Sequence, residues 1–189
     1  PTSARSTSTA TAATLATGEK FNNRTPGREE TRKDLRTIID LAREKGRSIG
    51  LVTNKRLTTP TAAAFYAVGK ERSDEIALSF AERKKVDIAL GGGGAEFLPE
   101  GKGGQRRDGR DLVLELRRDG YEIVRTKADL ENVPRWRRPR LLGLFSSGEM
   151  AFAKQVDSGP EQPTPGDLTH RRVYPLQGDP VRSLPVGWS

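Results

Sequence analysis

Two junctions in this 189-residue chain bring polar and flexible groups to the ends of apolar runs. At the first, Ile49 to Val52 leads through Asn54 and Arg56 into Thr58-Thr59-Pro60-Thr61, a set of alanines and then Arg72. At the second, Asp87 to Leu90 runs into four glycines, Gly91 to Gly94. Strand-to-polar-turn and strand-to-glycine junctions are where open α/β sheets hold their ligands. On residue type alone Thr61 reads as a helix-start threonine satisfying backbone donors, and Arg72 as a solvated charge beside Lys70 and Glu71. The glycines are not a nucleotide cradle, because neither a Walker lysine nor the dinucleotide spacing accompanies them.

Several chemistries are excluded outright. The chain has no cysteine, so disulfides, thiolate nucleophiles and Cys-ligated metals are ruled out. It has one histidine, His170, in a segment with no partner pattern. The net charge of +8 admits an anionic partner. Its densest basic run, Arg135-Trp136-Arg137-Arg138-Pro139-Arg140, reads as a solvated loop before a strand. No run approaches the roughly 18 apolar residues of a membrane span.

The elements that would position these groups follow from periodicity. Leu35, Ile38, Ile39 and Ala42 recur at helical spacing and stop at Gly46. Ile49–Val52 reads as a buried strand. Thr59 and Pro60 open a second helix carrying Ala63, Ala64 and Phe65, and Ser73 is the expected cap of a third with Ile76, Ala77, Phe80 and Ala81 on one face. Val86–Leu90, Tyr121–Val124 and Leu141–Phe145 read as strands, with a helix on Leu112, Val113 and Leu116 between the first two. Alternation of this kind predicts an α/β fold, a partial three-layer sandwich with a mostly parallel sheet and helices on both faces, its C-terminal half incomplete. Residues 154–189 hold six of the twelve prolines, no apolar periodicity, and four basic against four acidic residues. The expectation is therefore two parts: 1–153, and an irregular Pro-rich tail, 154–189, read out of frame past about Ala153.

From about Ser6 to Met150 the chain resembles the N-terminal part of bacterial alkaline phosphatases. Four strings carry the likeness in order: SerThrAlaThrAlaAlaThrLeuAlaThrGlyGluLys at 8–20, the segment Gly50 to Arg72, AspIleAlaLeuGlyGlyGly at 87–93, and LeuLeuGlyLeuPheSerSerGlyGluMet at 141–150. The resemblance implies hydrolysis of phosphate monoesters, with Ser8 as nucleophile, Arg72 forking onto the substrate phosphate, and Thr61 as a magnesium contact. Zinc and magnesium are the implied cofactors, a small phosphate monoester the substrate, a homodimer the assembly, and the periplasm or extracellular space the location. In the same resemblance the glycine turn is structural.

The departures from the family pattern are also specific. Thr7 stands where the family has a metal-binding Asp, Thr59 where it has an Asp or His, and Ala62 where it has a proline, with Pro60 displaced. A two-zinc centre needs several His and Asp side chains, and the chain as given is short of them. The expectation is an alkaline-phosphatase-like chain inactive on its own. The alternative is a non-catalytic basic module that binds anions or nucleic acid, although nucleic acid is not the expected partner. A chain exposing an apolar sheet edge would also be prone to aggregate.

Overall fold

The computed structural model of the chain describes residues 7–21, 35–70, 72–134, 140–151, 162–164 and 166–168. Its centre is a four-stranded, wholly parallel sheet: β1 (Gly50–Arg56), β2 (Ile88–Gly92), β3 (Tyr121–Val124) and β4 (Arg140–Leu144), ordered β1-β2-β4-β3. Parallel neighbours cannot be joined by tight hairpins. The connections accordingly run through α3 (Pro60–Ala63) and α4 (Ser73–Arg83), then α5 (Leu112–Arg118), then α6 (Lys127–Asn132). In register, Leu51 faces Ala89, Ala89 faces Leu142, and Ile123 faces Leu142.

Side chains alternate across the strands, so one apolar run feeds two cores. Ala89, Leu142 and Ile123 pack with Ile76, Ala77 and Phe80 of α4 and with Leu112 and Leu116 of α5. Leu90, Leu141 and Val124 point the other way, toward Leu130 of α6, Met150 and Leu168. Phe80 centres the larger core, with its ring 5.4 Å from Tyr66, 5.9 Å from Phe97 and 6.1 Å from Tyr121. The expected α/β class, parallel sheet and helices on both faces are what the chain adopts.

The differences from expectation have local causes. The helix α2 (Ile38–Glu44) starts at a capping box in which Thr37 and Asp40 exchange hydrogen bonds. It buries Ile39 and leaves Ile38 and Leu41 half exposed, because only one side of so short a helix meets the core. Ser73 is the first helical residue of α4, and the cap position falls to the backbone of Arg72. β1 continues past Val52 through the polar residues Thr53 to Arg56, as Arg56 pairs with Gly92 and the Asn54 carbonyl accepts from the Met150 N–H. The helix α6 has a capping box between Thr126 and Asp129 and one buried anchor, Leu130, which leaves no periodic signal to read.

Part of the Pro-rich tail is tied to the body. Asp167 accepts hydrogen bonds from the Thr164 N–H and hydroxyl, both at 2.8 Å, and pairs with Lys127 at 3.1 Å. Leu168 is fully buried in the second core. One apolar side chain among prolines carries no periodicity, which is why composition alone reads this stretch as irregular. The basic run 135–139 and His170 lie outside the described residues.

Two buried tyrosines make stability sensitive to alkali. The Tyr66 hydroxyl donates to the Leu57 carbonyl at 2.7 Å and the Tyr121 hydroxyl to the Val86 carbonyl at 2.6 Å. Burial pushes Tyr66 far above its ordinary value and Tyr121 up to about 12. A raised folded-state value contributes stability that is full below the unfolded value, about 10, and is lost as pH rises toward the folded one. The urea midpoint is therefore expected to hold from pH 7 to about 9.5 and to fall above about 10. With Tyr121→Phe the fall should be shallower.

Candidate active site

The site is built where α1 (Ser8–Thr17) meets α3 at the carboxyl end of β1. Thr7 caps α1, its hydroxyl accepting from the Ala10 N–H at 3.2 Å. The buried face of α1 consists of Ala10, Ala12, Ala13 and Ala16, and Ala10, Ala12 and Ala13 pack with Ala64 and Phe21. Small side chains let two helices approach closely, and the approach sets the starts of α1 and α3 side by side. As a result the Thr61 hydroxyl lies 3.5 Å from the Ser8 hydroxyl, across 53 residues of sequence. Both residues are exposed. A serine at the first turn of a ten-residue helix also lies at the positive end of the helix dipole.

Beside this pair the chain forms a shallow cleft lined by Thr9, Pro60, Ala64, Gly69 and Lys70. Lys70 is exposed and makes no ion pair among the described residues. In the sequence it stands out only as a neighbour of Arg72. Its place in the cleft follows from the turn after α3, in which the Lys70 N–H bonds the Ala67 carbonyl.

Arg72 lies just ahead of α4, and its guanidinium turns to Asp74 rather than to the hydroxyl pair. Nε donates to Oδ1 at 3.1 Å and Nη2 to Oδ2 at 2.8 Å, with Glu75 a further 3.9 Å contact of Nε. The hydrogen bonds from Arg72 hold the Asp74 carboxyl below the usual carboxylate range, and the same bonds raise the Arg72 guanidinium. Ser8 and Thr61 are thus brought together, while Arg72 is engaged elsewhere.

Two buried charges behind the site carry no sequence signature. Glu96 is 4% exposed and accepts from Arg56 at 2.9 Å and from the Thr58 hydroxyl at 2.6 Å. Arg106 is 3% exposed and donates to the carbonyls of Asp74 at 3.0 Å and Glu96 at 3.3 Å. Thr58 stands three residues before Thr61, and Asp74 two after Arg72. Both segments of the site are therefore fastened to the turn that follows β2.

The N–H groups of that turn are not open to an anion. The Gly93, Gly94 and Ala95 N–H groups already donate to the carbonyls of Gly148, Ser146 and Ser147 at 2.7, 2.9 and 3.1 Å. Gly93 has φ of +92°, which favours glycine. The glycines stitch β2 to the loop after β4, which is a structural role.

A family model described as alkaline phosphatase matches residues 3–180. The chain belongs to the alkaline phosphatase family. It is 32% identical over 169 residues to alkaline phosphatase 4 of Bacillus subtilis, covering 86% of this chain and 34% of that relative. The crystal structure of Thermus thermophilus alkaline phosphatase superposes with a TM-score of 0.74 at 26% identity, covering 88% of this chain and 34% of that one. A variant of the enzyme from the Antarctic bacterium TAB5, solved with Mg bound, shares the fold at 23% identity and a TM-score of 0.64, over 79% of this chain and 41% of that one. The chain spans about a third of the length of the relatives it matches.

A zinc cage does not fit the described residues. The Ser8 hydroxyl is met by the Thr61 hydroxyl, and no group of three or more His, Asp or Glu among the described residues could hold a metal. Zinc sites draw on imidazole, thiolate and carboxylate ligands. Alkaline phosphatase chemistry at Ser8 would need ligands from elsewhere. No helix among the described residues is long and apolar enough to cross a membrane.

Proposed function

We propose that this chain carries the nucleophile and the phosphate-holding side chains of a phosphate monoester hydrolase. The observation that carries the reading is the meeting of the Ser8 and Thr61 hydroxyls at 3.5 Å, in a chain matched by the alkaline phosphatase family over residues 3–180. In this reading Ser8 Oγ attacks the phosphorus of a small phosphate monoester as the ester oxygen departs, and water then releases phosphate from the serine. The α1 N–H groups face the phosphoryl oxygens. Arg72 and Lys70 supply positive charge on the flank. Thr61 orients the serine hydroxyl and is the residue that would contact magnesium. Apart from Thr61, the groups that would hold the zinc and magnesium implied by the resemblance lie outside the described residues, so the chain by itself is expected to bind phosphate and not to turn over ester. An extracytoplasmic location and a homodimer belong to the same reading.

The reading is tested by titrating the chain with inorganic phosphate in a calorimeter at low salt. Arg72→Ala is expected to weaken binding about tenfold or more, the loss of charge-assisted hydrogen bonds. Lys70→Ala is expected to weaken it about threefold, as an exposed point charge. Ser8→Ala should leave phosphate affinity nearly unchanged, since the helix amides remain. Unchanged binding in Arg72→Ala would overturn the assignment. Hydrolysis of an aryl phosphate by the chain with added zinc and magnesium is expected to match the Ser8→Ala background.

A further inference from the structure

Arg72 is not a free cation waiting for an anion. Its fork is filled by the Asp74 carboxylate through two hydrogen bonds, 3.1 and 2.8 Å long. Two parallel N–H···O bonds of this kind are also how a guanidinium holds two phosphoryl oxygens. Carboxylate and phosphate would therefore compete for the same donors. Resting on the reading of Arg72 as the phosphate clamp, we propose that Asp74 is an affinity-determining residue, an intramolecular anion that any bound phosphoryl group must displace from Arg72.

The placement suits such a role. Both side chains are open to solvent, Arg72 by 71% and Asp74 by 45%, so the pair can part without disturbing a core. The backbone on either side is held more firmly. The Ile76 N–H bonds the Arg72 carbonyl at 2.9 Å, and buried Arg106 donates to the Asp74 carbonyl at 3.0 Å. The carboxylate is thus kept next to the fork while its side chain stays able to turn away. Asp74 remains ionised through the neutral range, because its hydrogen bonds with Arg72 lower its protonation range. Phosphate arriving at Arg72 also meets this negative charge at close range. The consequence is weakened binding of phosphate in the ground state and as product, which favours release of inorganic phosphate.

An exposed ion pair of this type is worth at most a few-fold in equilibrium terms. Asp74→Asn keeps the side chain's shape and removes its charge, and it is expected to tighten inorganic phosphate binding about three- to fivefold by calorimetry at low salt. The double change Arg72→Ala with Asp74→Asn should bind no tighter than Arg72→Ala alone. Glu75→Gln, a weaker 3.9 Å contact of the same guanidinium, should give a smaller gain. Damage to the fold lowers affinity and so cannot imitate a gain that depends on Arg72.

The proposal is overturned if Asp74→Asn binds phosphate equally or more weakly while Arg72→Ala abolishes binding. In that case Asp74 orients the clamp instead of competing with its ligand, and the phosphate reading stands. It is also overturned if the gain persists without Arg72. If neither the natural chain nor Asp74→Asn binds measurable phosphate, the competition and the phosphate reading fall together. Binding that first appears in Asp74→Asn supports both.

Discussion

Replacing Gly92 with alanine is expected to destabilise the fold by about 3 kcal/mol or more. Gly92 is the last residue of β2, a strand with partners on both sides. A Cβ at this position would overlap the carbonyl oxygen of Gly148 and meet the Met150 amide nitrogen at 3.3 Å. Backbone cannot turn aside as a flexible side chain can. Relief would require separating β2 from the loop after β4, along with the hydrogen bonds from the Gly93 and Gly94 N–H groups that join them. That same loop carries Met150 into the second core, so the loss would spread beyond one contact. Urea denaturation is the measurement, with Gly101→Ala as reference because nothing lies within 4 Å of the added methyl there. The reference should stay within about 0.5 kcal/mol of the natural chain. Equal midpoints for the two variants would mean that β2 and the Gly148 loop are not in contact.

Legibility in the sequence followed the kind of signal each element leaves. β2 and β4 were readable because parallel strands buried on both faces appear as near-continuous apolar runs, and β3 from Tyr121, Ile123 and Val124 directly after the stop at Gly120. α4 and α5 were readable from their spacing. α6 was not, since a short helix held by a capping box needs only one buried residue, Leu130. Leu168 was hidden for the same reason. At the site, residue types and family likeness singled out Ser8, Thr61 and Arg72, yet no local pattern says that two hydroxyls 53 residues apart will meet. Their meeting depends on alanines of α1 lying against Ala64 of the turn after α3, and a run of alanines looks the same whether packed or exposed. Glu96 and Arg106 were invisible for a different reason. In a chain that is 31% charged a buried glutamate or arginine has no compositional mark, and only burial sets these two apart from their neighbours.

Arg106 carries the second large expectation. Its side chain is 2% exposed, and its guanidinium is saturated from three directions. Nε donates to Asp108 at 3.1 Å, Nη2 pairs with the same carboxylate, and Nη1 bridges the carbonyls of Asp74 and Glu96. Arg106→Ala would take one donor from each of two carbonyls, unpair Asp108 and leave a void behind the start of α4. Such changes cost about 3 kcal/mol. A loss of packing alone would not alter how stability responds to acid, but this substitution should. The Arg106 hydrogen bonds hold Asp108 below the usual carboxylate range. A lowered folded-state value contributes stability that is full above the unfolded value, about 4, and disappears as pH falls through the folded one. Between pH 5 and pH 2 the natural chain should therefore lose stability more steeply than Arg106→Ala, in which Asp108 returns toward its ordinary value. Because Arg106 also fastens the backbone two residues beyond Arg72, phosphate affinity should fall in Arg106→Ala and recover in part with Arg106→Lys, which keeps a charge but not the fork. If the acid slopes of Arg106→Ala and the natural chain coincide, the pairing with Asp108 does not hold the turn, and the tie between that turn and the phosphate side of the molecule is broken as an argument.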